Sequence, residues 1–122
     1  MHELGIACAL VEAAEAEARK HNARRVLGVS CRIGAIRQVM PDALREGFAL
    51  AASGTLAVGA ALHVTVTGMM LDCSDCACKE ELPAWAFECP RCHSMNVRLS
   101  GGDDLELTSV ELEVPDDGPC CP

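Results

Sequence analysis

The sequence predicts an α+β fold in which two helices cover a small three-stranded sheet, with an inserted four-cysteine module. Three observations predict it. Apolar residues recur first every three or four positions and later every second position. Aromatic residues number only three in 122, so the core must consist of small aliphatic side chains. Two C-x2-C pairs stand twelve residues apart. We expect residues 1–68 and 100–114 to form the α+β domain, residues 69–99 the module and residues 115–122 a flexible tail.

The first helix is predicted between Glu3 and Asn22. Its apolar stripe follows helical spacing and comprises Leu4, Ala7, Val11, Ala14 and Ala18. The cations Arg19, Lys20 and His21 fall in its last turn, where they suit the negative end of the helix dipole. Asn22 is the expected cap.

A strand is predicted from Arg25 to Gly34, because apolar and small or polar residues alternate there. Its buried face should contain Leu27, Val29, Cys31 and Ile33. Pro41 fits the first turn of a second helix, whose stripe is Leu44, Phe48 and Ala51 and whose end is marked by Ser53-Gly54.

Two further strands complete the predicted sheet. Leu62, Val64 and Val66 alternate with polar residues before Gly68. Residues 104–114 form the third strand, in which the apolar phase changes between Leu107 and Val110, so we expect a bulge near Thr108-Ser109. The tail of residues 115–122 has no strand or helix pattern.

Charge and hydropathy exclude several classes of function. The net charge is −8, and residues 100–122 contain seven acidic residues and no Lys or Arg, so a nucleic-acid binder is not expected. No stretch reaches the roughly 18–20 apolar residues of a membrane span. We therefore expect a cytoplasmic protein with no membrane partner. Phosphate-binding loops and nucleophile motifs are absent from the sequence, so an enzyme is not expected.

Cys73, Cys76, Cys89 and Cys92 form the pattern C-x2-C-x12-C-x2-C. Each pair can place two thiolates on one ion, and two pairs complete the tetrahedron that Zn²⁺ accepts. Four protein ligands leave no open position, which indicates structural zinc. The alternative is a pair of redox dithiols. Cys78 and His93 lie beside the four and could exchange with them, and Cys120-Cys121 could hold a soft metal, but the pattern does not need them.

The amino terminus offers a second type of site. The α-amine, the amide nitrogen of residue 2 and the His2 imidazole can chelate one ion in a planar nitrogen set, which suits Ni(II) or Cu(II). Glu3 can add an oxygen. A His at this position is also often no more than an exposed polar residue.

Together these features resemble the HypA/HybF family of hydrogenase nickel-incorporation proteins. The features are Met1-His2-Glu3 opening a helix, Ile33-Gly34 ending a strand, the helix around Leu44 and Phe48, the four cysteines followed by His93-Ser94, and an acidic last strand. The resemblance covers residues 1 to about 114.

The resemblance implies a nickel metallochaperone that serves nickel–iron hydrogenase and, in some members, urease. It implies nickel at Met1, His2 and Glu3, with Asp42 as a further ligand, and zinc at the four cysteines. The implied partners are a nickel-handling maturation GTPase and the hydrogenase large-subunit precursor, with homodimer formation left open. The alternative function is a zinc-stapled protein–protein adaptor that binds no second metal.

Overall fold

The computed structural model describes residues 2–83 and 86–115, without the His2 side chain. The predicted tail, with Cys120 and Cys121, lies outside the described residues. The helices are α1, His2–Lys20, and α2, Pro41–Ala52. The strands are β1, Arg25–Gly34; β2, Ala61–Thr67; β3, Met69–Cys73; β4, Lys79–Leu82; β5, Val97–Ser100; and β6, Leu105–Glu113. A single 3-10 turn, Ala35–Arg37, follows β1.

These strands form two three-stranded sheets, ordered β2-β1-β6 and β4-β3-β5. The first is the predicted three-strand sheet, and the second builds the cysteine module. This architecture confirms the predicted fold class. In the second sheet β3 pairs antiparallel with both neighbours, with Leu71 opposite Glu80 on β4 and Leu99 on β5. In β3, buried Met69, Leu71 and Cys73 alternate with exposed Met70 and half-buried Asp72, a period-two pattern that is also present in the sequence.

The chain divides into two compact units. Within the described residues, the helical unit contains residues 2–31, 39–64 and 107–115, and the cysteine unit contains residues 32–38, 65–83 and 86–106. The predicted boundaries at residues 68, 99 and 114 remain a prediction.

The helical unit has an aliphatic core, as the shortage of aromatic residues predicted. Helices α1 and α2 pack against each other. The buried side chains of the two helices and of the β1 residues in this unit are Ala7, Leu10, Val11, Ala14, Ala18, Val26, Val29, Cys31, Leu44, Phe48 and Ala52. Val26 takes the buried position expected for Leu27, and Ala52 the one expected for Ala51. One-residue shifts of this kind occur at element ends, where the local period weakens.

Both helices end as their sequences predict. Asn22 adopts a left-handed φ of 54° after α1. The N–H of Ala23 donates to the carbonyl of Ala18 at 2.8 Å, and that of Asn22 to Arg19 at 3.2 Å, which together make a Schellman motif. Helix α2 begins at Pro41 and is capped by Ser53, and Gly54 then adopts a φ of 79°.

The cysteine unit has its own small core. It consists of Met69, Leu71, Cys73, Cys78, Leu82 and Cys89, with Ala35, Ala86, Val97 and Leu99 packed against it. Half of the six buried residues are cysteines. A core with so little apolar mass needs an additional staple, as domains of this size usually do.

Candidate metal centre

The first half of the centre is a tight turn at the end of β3. Cys73 is the last residue of that strand, and its N–H donates to the carbonyl of Cys78 at 2.9 Å. The turn reverses through Ala77, which has a φ of 58°. This geometry brings Cys76 back beside Cys73. We call residues 73–78 the first knuckle.

The second half repeats this construction in residues 89–94, the second knuckle. The N–H of Cys89 donates to the carbonyl of Ser94 at 2.8 Å, and His93 has a φ of 62°. The N–H of Arg91 also points to the Cys89 sulfur, at 3.4 Å. Both knuckles therefore bond residue i to residue i+5 and turn left-handed at residue i+4. The C-x2-C spacing predicted this equivalence.

The knuckles bring all four predicted thiols together. The Sγ atoms of Cys73, Cys76, Cys89 and Cys92 lie within 4.8 Å of one another. Two distances, from Cys73 to Cys92 and from Cys76 to Cys89, are 3.6 Å. A zinc ion with Zn–S bonds of about 2.3 Å separates its sulfurs by roughly 3.8 Å. The donor set and spacing therefore fit a tetrahedral thiophilic ion.

The electrostatics of the thiols also favour a cation. The backbone N–H of Cys92 lowers the pKa of the Cys89 thiol to about 6, helped by the N–H of Arg91 and opposed by desolvation. The N–H of Ser94 likewise lowers the pKa of Cys92, but desolvation and hydrogen bonds with the other three thiols raise it to about 12. The pKa of one thiol is lowered and that of its neighbour is raised, because hydrogen bonds among the four thiols favour one ionised sulfur beside protonated ones. Four ionised sulfurs this close would repel one another. A divalent ion removes that repulsion.

The two bystander residues have other partners. The thiol of Cys78 is buried, and burial raises its pKa. It donates to the Glu80 carboxylate at 3.7 Å. The imidazole of His93 lies 3.6 Å from the Glu88 carboxylate. Neither side chain belongs to the group that could hold an ion.

The predicted amino-terminal site is described only in part. Met1 and the His2 side chain lie outside the described residues. The Glu3 carboxylate accepts the N–H of Met40 at 3.4 Å, which places it beside the segment that enters α2. The Asp42 side chain is 96% exposed and pairs with Arg45 at 3.1 Å.

A groove of about 250 Å³ adjoins this region. Its lining comes from the first turn of α1 and from α2 and comprises Glu3, Leu4, Ala43, Glu46, Gly47 and Leu50. Glu46 was not singled out from the sequence, since nothing in its local pattern separates it from other helix-surface carboxylates. Among the described side chains, only the four cysteines form a group of three or more that could hold a metal.

Neither described helix combines the length and the apolar character that crossing a membrane requires.

Comparison with known proteins places the chain in a family. Residues 1–112 match the family model described as "Hydrogenase/urease nickel incorporation, metallochaperone, hypA". The chain is 37% identical to hydrogenase maturation factor HybF of Salmonella typhimurium, over 93% of the chain and all of that protein. It is also 37% identical to hydrogenase maturation factor HypA of a Picosynechococcus strain, over 92% of the chain and 99% of that protein.

The chain belongs to the HypA/HybF family. Two solved structures share the HypA fold: the solution structure of the nickel metallochaperone HypA from Helicobacter pylori and a second solution structure of a HypA protein. The first has a TM-score of 0.60 at 24% identity and covers 93% of this chain and 98% of its own. The second has a TM-score of 0.62 at 26% identity and covers 94% and 98%. The predicted resemblance is thereby confirmed.

The HypA/HybF match contains both predicted sites, because residues 1–112 include the amino terminus and the four cysteines. The family is that of nickel metallochaperones for hydrogenase maturation. The last ten residues, with Cys120 and Cys121, lie beyond the match.

Proposed function

We propose that this chain is a carrier that binds Ni(II) at its amino terminus and passes it to nickel–iron hydrogenase during maturation, without catalysing a reaction itself. The observation that carries the proposal is the family match over residues 1–112. Urease is a second acceptor in this proposal. The chain acts in the cytoplasm, with a nickel-handling maturation GTPase and the hydrogenase large-subunit precursor as its partners. Homodimer formation stays a prediction.

The nickel ligands in this proposal are the α-amine of Met1, the amide nitrogen and imidazole of His2, and the carboxylate of Glu3. Nitrogen donors that lie in one plane suit Ni(II), whereas Zn²⁺ prefers a tetrahedral set of ligands. The position of Glu3 beside Met40 supports a contribution from the start of α2. Asp42 is the proposed ligand there. Since Asp42 is exposed and pairs only at the surface with Arg45, its carboxylate can turn toward an ion at small cost.

The ion held by the four cysteines is zinc, and its role is structural. Four thiolates at tetrahedral spacing complete its coordination. No position remains for a water or a substrate. Zinc would link the two knuckles of the cysteine unit, whose hydrophobic core is small.

A carrier must also release its cargo. Ligands at a chain end can be exchanged one at a time with a partner, whereas a closed four-thiolate site resists exchange. Nickel affinity should fall with decreasing pH, because the α-amine, with an ordinary pKa of about 7.7–8.0, must lose its proton to bind.

Metal analysis of the untagged chain tests this proposal. We expect one tightly held zinc and one nickel that a competing chelator removes. His2→Ala should abolish nickel binding and keep zinc, whereas the matched control His63→Ala, at an exposed position of β2, should keep both. An added amino-terminal tag should weaken nickel as His2→Ala does.

The zinc-stapled adaptor predicts a different result. An adaptor without a second metal would retain one zinc, bind no stoichiometric nickel and be unaffected by His2→Ala. If the tagged chain bound nickel as fully as the untagged one, the assigned ligands would be wrong, but the proposed role as a nickel carrier would stand.

A further inference from the structure

A side-chain network joins the two knuckles to each other. Asp75 lies between the two cysteines of the first knuckle, and Ser94 and Asn96 follow the cysteines of the second. The Ser94 hydroxyl donates to Oδ2 of Asp75, and the Asn96 amide donates to Oδ1 of the same carboxylate at 3.5 Å. One carboxylate thus receives two donors from across the centre.

The backbone strengthens the same link. The N–H of Asn96 donates to the Ser94 hydroxyl oxygen at 3.0 Å. That hydroxyl therefore accepts one bond and donates another, so its orientation is fixed. In the opposite direction, the N–H of Ser74 donates to the carbonyl of Asn96 at 3.0 Å. None of the residues that form these three bonds belongs to the four-cysteine group.

We propose that Asp75 is a positioning residue for the four-cysteine centre, which acts through Ser94 and Asn96 to hold the two knuckles at ligand distance and slow the loss of the metal. The inference rests on the proposed zinc occupancy of that centre. We call the set Asp75, Ser94 and Asn96 the clasp.

The physical argument concerns the first step of metal loss. An ion leaves a four-thiolate site by losing its ligands in turn, and the exposed cysteines Cys76 and Cys92, one on each knuckle, are the accessible ones. With the clasp intact, a detached knuckle stays close and its thiolate rebinds. Without it, the metal and the backbone bond from Ser74 to Asn96 are the links left at this side, so the opened state lives longer.

The expected size follows from the strength of such bonds. Hydrogen bonds that support metal ligands change metal affinity by about 10–100-fold when they are removed. Because the clasp is solvent-exposed, we expect the low end. Loss of Asp75 should therefore accelerate zinc release about tenfold.

The experiment measures zinc release from the full-length, zinc-loaded chain into excess chelator with a colorimetric zinc indicator. Asp75→Ala and Ser94→Ala should both release zinc about tenfold faster. The double variant should be no faster than either single one, because both remove the same network. Ser94→Thr, which keeps the hydroxyl, should retain the slow rate.

Asp72→Ala is the matched control. Asp72 lies on β3 next to Cys73 and forms an ion pair with Lys79 at 3.8 Å, so this variant removes the same charge near the centre and leaves the clasp. Equal acceleration by Asp72→Ala, or a wild-type rate in Asp75→Ala, would overturn the inference. If Asp75→Ala fails to fold, Asp75→Asn serves instead, since it keeps one acceptor and should give a smaller acceleration.

Cobalt substitution separates the two proposals. The ligand-field spectrum of the cobalt-loaded chain reports four thiolates in wild type and in every clasp variant if the clasp only positions the ligands. A wild-type chain without that spectrum would refute the zinc centre itself. The same spectrum with unchanged release rates would refute the clasp alone.

Discussion

Gly34→Ala should be among the most damaging single-methyl additions in this chain. Gly34 has φ −77° and ψ 147°, a conformation that any residue adopts, so backbone strain is not the reason. The reason is space. A Cβ there would lie 1.9 Å from the Gly102 carbonyl oxygen and 2.5 Å from the Asp103 nitrogen, whereas ordinary contact begins at 3.4 Å. Both neighbours are backbone atoms, so no side chain can move aside.

To admit the methyl group, the segment around Gly102 must move by more than 1 Å. That movement breaks the bond from Gly34 N–H to Asp104 at 2.8 Å and the bond from Ile36 N–H to Gly102 at 2.9 Å. Each bond contributes about 1 kcal/mol and overpacking costs about 1–3 kcal/mol more. We expect a loss of about 3–5 kcal/mol, and a melting temperature lower by roughly 12–20 °C for a chain of this size.

Thermal and urea unfolding of the zinc-loaded variants, followed by circular dichroism, measure this loss. Gly5→Ala is the matched control, because Gly5 lies in α1 and a Cβ there meets nothing within 4 Å. In a helix that change should stabilise the chain by about 0.5–1 kcal/mol. A loss below about 1 kcal/mol for Gly34→Ala would refute the steric argument, since it would mean that the 101–104 segment yields freely.

Three further changes test the two cores and the thiols. Phe48→Ala should lower the free energy of unfolding by about 3–5 kcal/mol, because Phe48 is the largest fully buried side chain among the described residues; urea titration measures this loss. Cys76→Ser should lose the bound metal, seen by metal analysis, whereas Cys8→Ser, an exposed cysteine outside the centre, should keep it. Burial raises the pKa of the Cys31 thiol above 9.0 in the folded chain. The buried, protonated thiol therefore contributes its full stabilisation below pH 9.0, and this stabilisation is lost as the pH rises through the folded-state pKa. Urea titrations at several alkaline pH values should therefore show wild type losing more stability than Cys31→Val, and parallel losses would contradict this.

The elements that the sequence predicted are those whose signals are local. The alternation from Val29 to Ile33 needs only a few neighbouring residues, and Pro41 and Gly54 mark the ends of α2 by their own backbone preferences. The four-cysteine centre was predictable for the same reason. Each knuckle closes within six residues, so spacing alone determines which sulfurs meet.

Features that depend on distant segments were not predictable. The requirement for glycine at position 34 comes from Gly102, sixty-eight residues later, and nothing near Gly34 shows it. The clasp is similar, since Asp75 reads locally as an ordinary turn residue and acquires a role only when Ser94 and Asn96 are brought beside it. The phase change in β6 lies between these cases. Leu107 and Val110 are both half-buried, whereas Leu105 is exposed, and the bulge near Thr108-Ser109 stays a prediction.

The distribution of the sulfurs supports the proposed division of labour between a structural metal and a transported one. Cys73 and Cys89 are buried in the core of the cysteine unit, while Cys76 and Cys92 are exposed. An ion bound by all four therefore completes a hydrophobic core on one side, and its loss would expose apolar surface as well as break metal–sulfur bonds. Release from such a site is coupled to local unfolding. Such a site does not suit a transported metal, because each release would unfold part of the cysteine unit. Ligands outside any core, such as the exposed Asp42 carboxylate and the proposed chain-end nitrogens, can exchange an ion while both cores stay intact.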